Sequence, residues 1–214
     1  MSRQSCHRKG KELMPMETGN MKPDYNKVIL TDADGVLLNW EYAFRTWMAK
    51  HGYKEKSDDP TTYDIGVRYG IPKAEKESAV KLFNESAAIG YLPPLRDAMY
   101  YVDLLHRKHG FTFHCITSLS TDQDACNLRE QNIRKLFGET AFSKFIFLDT
   151  GADKDKVLAM YKDTGMIWIE DKVENAQCGL DMGLESILIE HGHNMHSDIC
   201  PRMKDWKEVY EYCT

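Results

Sequence analysis

The run Val28-Ile29-Leu30-Thr31-Asp32-Ala33-Asp34-Gly35-Val36-Leu37 decides the reading of this chain. Three consecutive apolar residues, Val28, Ile29 and Leu30, suit a short strand buried on both faces, as in a parallel sheet covered by helices. Two carboxylates follow, one residue apart. Packed at the end of such a strand, they repel each other and lose hydration unless a positive charge sits between them. A divalent cation meets that need, and hard cations take oxygen ligands. Gly35 then lets the chain turn sharply away. In an open parallel sheet, ligands bind beyond the carboxyl ends of the strands, so Asp32 and Asp34 fall on the edge where a site is expected.

Working outward, residues 1–26 carry Ser, Lys, Arg, Gly, Met and Pro without periodicity, and are expected to form a poorly ordered tail whose basic cluster Arg8-Lys9-Lys11 is simply solvated. Downstream, Trp40, Ala43, Phe44, Trp47 and Met48 recur at helical spacing, and Gly52 is a natural stop. Residues 53–72 are polar and turn-rich, with Asp58-Asp59-Pro60 and Gly70-Ile71-Pro72. A second helix is expected from about Lys73 to Ser86, with Ala79, Val80, Leu82 and Phe83 on its apolar side. Residues 40–92 therefore read as a small helical cap inserted after the first strand, where it can cover the acidic pair as a lid. Pro93-Pro94 returns the chain stiffly. Beyond it, strands are expected near 111–116, 145–148, 166–169 and 185–189, with helices over 96–109, 122–137, 154–161, 176–182 and 206–212. Residues 27–39 and 93–214 thus make an α/β core, a doubly wound, Rossmann-like parallel sheet.

Four strand ends carry polar groups. They are Asp32 and Asp34, then Thr117 and Ser118, then Lys154 with Lys156 close behind, and finally Glu170, Asp171, Glu174 and Asn175. In a parallel sheet these ends share one edge and can converge. Together they supply what phosphoryl transfer to a carboxylate needs: a nucleophile, a proton donor, a cation for the phosphate, and donors for its oxygens. In this order they resemble the four signatures of the haloacid dehalogenase superfamily of aspartate-nucleophile phosphatases, over residues 28 to about 190. The resemblance implies a Mg²⁺-dependent phosphomonoester hydrolase with an aspartyl-phosphate intermediate on Asp32. It further implies Asp34 as general acid and base, Thr117 as a hydrogen-bond donor to the phosphoryl group with Ser118 beside it, and Lys154 as the stabilising cation, with Lys156 as its competitor. Mg²⁺ would be held by Asp32, the backbone carbonyl of Asp34 and Asp171, with Glu170 a direct or water-mediated ligand. Asn175 stands where many members have a second acid, a departure that weakens the metal site by one charge or moves the role to Glu174.

The insert is rich in aromatic residues: Trp40, Tyr42, Phe44, Trp47, Tyr63 and Tyr69. Aromatic faces can stack on a nucleobase. Phe44 and Trp47 read as cap core, which leaves Tyr42, Tyr63 and Tyr69 as substrate contacts. The Asp-Gly-Val-Leu opening with a small helical insert also resembles, more distantly, the 5'(3')-deoxyribonucleotidases. A nucleoside monophosphate is therefore the leading substrate, with sugar phosphates and other small phosphomonoesters as alternatives. Phosphomutases of the superfamily share all four signatures. A phosphate-binding module without catalysis would not need the Asp32/Asp34 pair.

The formal net charge of −5 over 214 residues argues against a nucleic-acid partner. No apolar run approaches the roughly 18 residues of a membrane span. The six cysteines form no Cys-x-x-Cys pair, and no apolar signal core stands near the N-terminus, which together suggest a reducing, cytoplasmic setting. His191, His193 and His196, near Cys200, have the composition of a transition-metal site, but a polar loop after the last strand is the preferred reading.

Overall fold

The computed structural model describes residues 27–57, 59 and 61–214. The expected N-terminal tail, and Asp58 and Pro60 of the expected turn, lie outside the described residues. The expected acidic strand, β1 (Val28–Thr31), lies at the centre of a sheet, between β2 (Thr112–Ser118) on one side and, on the other, the strand Ile167–Glu170. With β3 (Phe142–Leu148) outside β2, that strand is β4, followed by β5 (Glu185–Ile189) and β6 (Arg202–Met203). The order is β3-β2-β1-β4-β5-β6 and each pairing is parallel.

Side chains alternate across a strand, and β1 shows the consequence. Ile29 packs into one core with Phe113, Cys115, Ile169 and Ile189. Val28 and Leu30 enter the other, with Ile116, Trp168, Leu158 and Tyr161. A strand with apolar residues on both faces, as Val28 to Leu30 provide, is what a sheet with a core on each face requires.

Parallel neighbours need crossovers, and helices supply them. The insert after β1 holds α1 (Trp40–Lys50), α2 (Ile65–Tyr69) and α3 (Lys73–Asn84), then a 3₁₀ turn at Ala87–Tyr91. The remaining helices are α4 (Ala98–His109), α5 (Gln123–Phe137), α6 (Asp155–Leu158), α7 (Val173–Asp181) and α8 (Trp206–Cys213). Helix α2 and strand β6 were not expected. Helix α2 is five residues long, set between the capping side chain of Asp64 and a left-handed Gly70, too short for a helical period to show. Strand β6 is a two-residue edge that exists only through its pairing with β5. The helix expected over 154–161 is instead α6 followed by a 3₁₀ turn, Ala159–Tyr161.

The insert has its own apolar centre, continuous with the core around Ile29. Phe44, Met48, Tyr69 and Phe83 are buried there, and Trp40 stacks on Phe44 with ring centroids 4.6 Å apart. Its exit and return are joined by backbone bonds, Asn39 N to Pro93 O at 2.9 Å and Leu95 N to Leu37 O at 2.8 Å. The end of α3 is tied to the loop after β2, where Asn84 Nδ2 donates to Leu119 O at 3.0 Å and Ser120 Oγ to Glu85 Oε1 at 2.9 Å. Among the described residues no helix is long and apolar enough to cross a membrane.

Candidate active site

The chain leaves β1 with Asp32 tethered to its neighbour strand, its N–H donating to Ile169 O at 2.9 Å. The Asp32 carboxylate is buried. Oδ1 accepts from Ala33 N at 2.7 Å, and Oδ2 pairs with Lys154 Nζ at 2.8 Å. Lys154 is itself buried and also bonds Glu170 Oε1 at 2.6 Å. Lys156, two residues on, is exposed, so the structure brings Lys154 to the site. Glu170 is saturated. Its Oε1 also accepts from Asn175 Nδ2 at 2.7 Å, and its Oε2 accepts from the backbone N–H groups of Asp171 and Lys172 at 2.7 and 2.8 Å. Burial alone would raise the Glu170 carboxyl, but Lys154 and these hydrogen bonds prevail and hold it below its ordinary value. Asn175, standing where an acid was considered, therefore serves Glu170.

Gly35 makes the approach of β4's end possible. Its φ is +73°, and a Cβ there would lie 2.4 Å from Asp171 Oδ2. Only glycine lets the turn after Asp34 pass so close to the second carboxylate pair.

Asp34 faces a different partner, Arg129 of α5, whose Nη1 lies 2.7 Å from Asp34 Oδ1. Arg129 was not expected in the site. Its sequence signal is a charged residue in the apolar stripe Ala125, Cys126, Ile133, all of them buried. Thr117, at the end of β2, is buried with no hydrogen-bond partner for Oγ1 among the described residues. A buried hydroxyl without a partner is costly, and a bound oxyanion would satisfy it. Ser118, beside it, already donates its hydroxyl proton to Ala152 O at 2.8 Å.

The histidine group after β5 serves backbone positions. His191 Nε2 lies 2.6 Å from Gly35 O and His193 Nε2 lies 3.0 Å from Asp171 O. A carbonyl only accepts, so both rings donate there. Burial lowers the pKa of each ring, which favours its neutral form. Asn194 Nδ2 adds a second bond to Asp171 O at 2.8 Å. His196 is exposed and outside this arrangement.

These groups open onto a cleft of about 940 Å³ between the sheet edge and the insert, lined among others by Asp32, Asp34, Thr117, Lys154, Asp171 and Tyr63. Tyr63 is exposed towards it, its ring 4.6 Å from that of His193. The other two tyrosines are placed differently. Tyr69 is buried and donates to Glu55 Oε1 at 3.1 Å, so it belongs to the insert's interior and only flanks the cleft. Tyr42 is 61% exposed on α1 and is not among the cleft-lining residues. Of α1, Trp40, Glu41, Phe44 and Arg45 line the cleft, so the structure does not bring Tyr42 together with the other expected substrate contacts.

The charge balance fits a divalent cation. Carboxylate oxygens of Asp32, Glu170 and Asp171 lie within 4.8 Å of one another. With protein groups alone, burial raises Asp32 to about 7 in spite of Lys154, and burial with the charges of Glu170 and Asp32 raises Asp171 well above its ordinary value. Two buried acids that resist ionisation side by side are what a bound cation relieves. The ligands with capacity left are Asp32 and Asp171, since each Glu170 oxygen already accepts two bonds whereas each Asp32 oxygen accepts one.

The fold is that of the haloacid dehalogenase-like hydrolases. A hydrolase of that kind from Streptococcus pneumoniae superposes with a TM-score of 0.61 at 14% identity, covering 88% of this chain and 98% of the other. CbbY from Rhodobacter sphaeroides, solved with phosphate, gives 0.55 at 18% identity, covering 86% and 96%. A D,D-heptose 1,7-bisphosphate phosphatase from B. bronchiseptica, complexed with magnesium and phosphate, gives 0.53 at 13% identity, covering 87% and 97%. Among curated proteins, an uncharacterized 32.4 kDa protein of the Gp30-rIII intergenic region of Enterobacteria phage T4 is 26% identical over 148 residues, which are 67% of this chain. The chain spans about half the length of that relative, 51%. No family model matches the chain.

Proposed function

We propose that this protein is a Mg²⁺-dependent phosphomonoester hydrolase that works through an aspartyl-phosphate on Asp32. The observation that carries the reading is the convergence in one cleft of Asp32 on Lys154, Asp34 on Arg129, and the unpartnered Thr117 hydroxyl.

In this reading Thr117 Oγ1 donates to the phosphoryl group and Lys154 balances its charge. An Asp32 oxygen bonds to phosphorus as the ester P–O bond breaks, and Asp34 gives its proton to the departing oxygen, so the alcohol leaves. In the second half Asp34, now a carboxylate, takes a proton from water. The water oxygen bonds to phosphorus, the bond to Asp32 breaks, and inorganic phosphate departs. Asp34 suits both halves because burial raises its carboxyl above the ordinary value of 3.8 although Arg129 pulls the other way. Asp32, Asp171 and the Asp34 carbonyl would hold Mg²⁺, which neutralises charge on the phosphate oxygens. Glu170 acts by holding Lys154 and the backbone of Asp171, not as a ligand.

Residues 40–92 act as the cap that selects the leaving group, and a nucleoside monophosphate is the preferred substrate. Support comes from the size of the cleft and from Tyr63 and Trp40 in its wall, since bases stack on such rings. The test is phosphate release from a panel of nucleotides, sugar phosphates and aryl phosphates, with Mg²⁺ and with chelator. Turnover is expected only with Mg²⁺ and highest on nucleoside monophosphates. Undiminished activity in excess chelator would remove the metal from the reading, and no release from any ester would remove the function.

A further inference from the structure

Arg129 is fully buried on α5, yet only Nη1 of its guanidinium has a partner, Asp34 Oδ1 at 2.7 Å. Nε and Nη2 have none among the described residues. As a structural element this is a poor arrangement. A buried cation with most donors unpaired costs more than an apolar side chain of the same volume. Lys154, another buried cation, shows the contrast, since its ammonium is shared by two carboxylates.

The helix that carries Arg129 is pinned on either side of it. One turn before, Cys126 Sγ donates to Ser120 O at 3.3 Å. One turn after, Asn132 exchanges two bonds with the backbone of Leu92, at 3.1 and 3.2 Å. The base of the arginine is therefore fixed relative to the loop after β2 and to the return of the insert. At its tip, Asp34 keeps its side chain 25% exposed on the cleft. One carboxylate oxygen is bonded by Arg129, and the other has no hydrogen-bond partner among the described residues.

We propose that Arg129 is a positioning residue for Asp34: by bonding Oδ1 it sets the plane of the carboxyl group and leaves Oδ2 as the oxygen that passes the proton to the leaving group. This rests on the phosphatase reading above. It places the effect of Arg129 on the proton-transfer half of phosphoenzyme formation and not on binding, because Arg129 does not line the cleft.

The experiment compares kcat/KM, which reports phosphoenzyme formation, on two esters in Mg²⁺. One is 4-nitrophenyl phosphate, whose leaving group needs no proton. The other is an alkyl phosphate, whose leaving group does. Arg129→Met is expected to lose about thirtyfold on the alkyl ester, the scale of a misplaced catalytic group, and less than about threefold on the nitrophenyl ester. Arg129→Lys should regain part of the alkyl activity. In an Asp34→Asn background, Arg129→Met should cause no further loss on the alkyl ester, since the group it positions is already gone. Equal losses on both esters, or a full additional loss in the Asp34→Asn background, would overturn the inference while leaving the phosphatase reading intact. Wild-type protein that cleaves neither ester nor any other overturns both. Should Arg129→Met fail to fold, Arg129→Lys carries the same two-ester comparison.

Discussion

At the sheet edge, Lys154 and Glu170 are 2% and 0% exposed, and each bond they make has a defined partner within the core. In the insert, the ion pairs reach the surface: even Arg68, itself buried, pairs with a Glu41 whose side chain is 53% exposed. Arg45 meets Glu55 at 2.5 Å with 48% of its side chain exposed, and Lys76 meets Asp64 at 2.9 Å with Asp64 51% exposed. In a low-dielectric interior a broken pair leaves a charge that water cannot rescue, whereas surface pairs are screened and nearly interchangeable with hydration. The difference assigns two jobs. In the reading proposed above, the sheet edge holds the reacting groups in one geometry, and exposed side chains of the insert can change without disturbing them. The buried groups should therefore be intolerant and the insert groups tolerant, which gives the following order of effects.

Asp32→Asn should have the largest effect, a loss of about 10³-fold or more in turnover and of any covalent phosphoenzyme, because an amide is a poor nucleophile. Wild-type turnover in that variant would remove Asp32 from the nucleophile's role. Next, Lys154→Met should destabilise the fold by roughly 3–5 kcal/mol in denaturant titration, since Asp32 and Glu170 lose their shared cation. A loss below about 1 kcal/mol would place that network among the screened pairs.

The third prediction uses pH. Asp32 is raised from 3.8 to about 7 by burial, and Asp171 is raised as well, so between about 4 and 7 these two carboxyls bind more protons in the folded protein than in the unfolded chain. Their contribution to unfolding stability then falls as pH rises through this window. Melting scans in chelator should show Tm declining from pH 4 to 7, and Mg²⁺ should flatten the decline by binding the ionised carboxylates. A Tm profile that is identical with and without Mg²⁺ would break the link between these acids and a cation.

Three substitutions probe the insert. Tyr63→Ala should raise KM for the preferred nucleotide about tenfold, the 1.4 kcal/mol of one stacking contact, and leave acetyl phosphate hydrolysis unchanged. Tyr42→Ala should change neither, because Tyr42 does not line the cleft. Equal loss on both substrates in Tyr63→Ala would make it a support for the chemistry and not a selector. Arg45→Ala should cost no more than about 1 kcal/mol in stability, as a screened pair with an exposed arginine.

What the sequence alone determined is the part written in short segments. The apolar run Val28–Leu30, the acids after it and the glycine that turns the chain are local features, and local features set strand burial and turn geometry. The order of the polar strand ends followed from the alternation of strands and helices, because a parallel sheet places all those ends on one edge whatever lies between them. Helices with a full apolar stripe, α1, α3, α4 and α5, were legible from their period, while α2 and β6 were too short to have one.

Tertiary structure decided which of several chemically similar residues stands where. Lys154 and Lys156 differ in sequence by two positions, but only the first turns inward to Asp32 and Glu170. Tyr42, Tyr63 and Tyr69 are the same side chain on one insert, and the packing of α1 to α3 exposes one away from the cleft, places one on it and buries one. Arg129 meets Asp34 across 95 residues of chain, and His191 meets Gly35 across 156. Such contacts depend on how elements distant in sequence pack, and the strength of a charge depends on the burial that this packing creates. Neither is a property of any one segment.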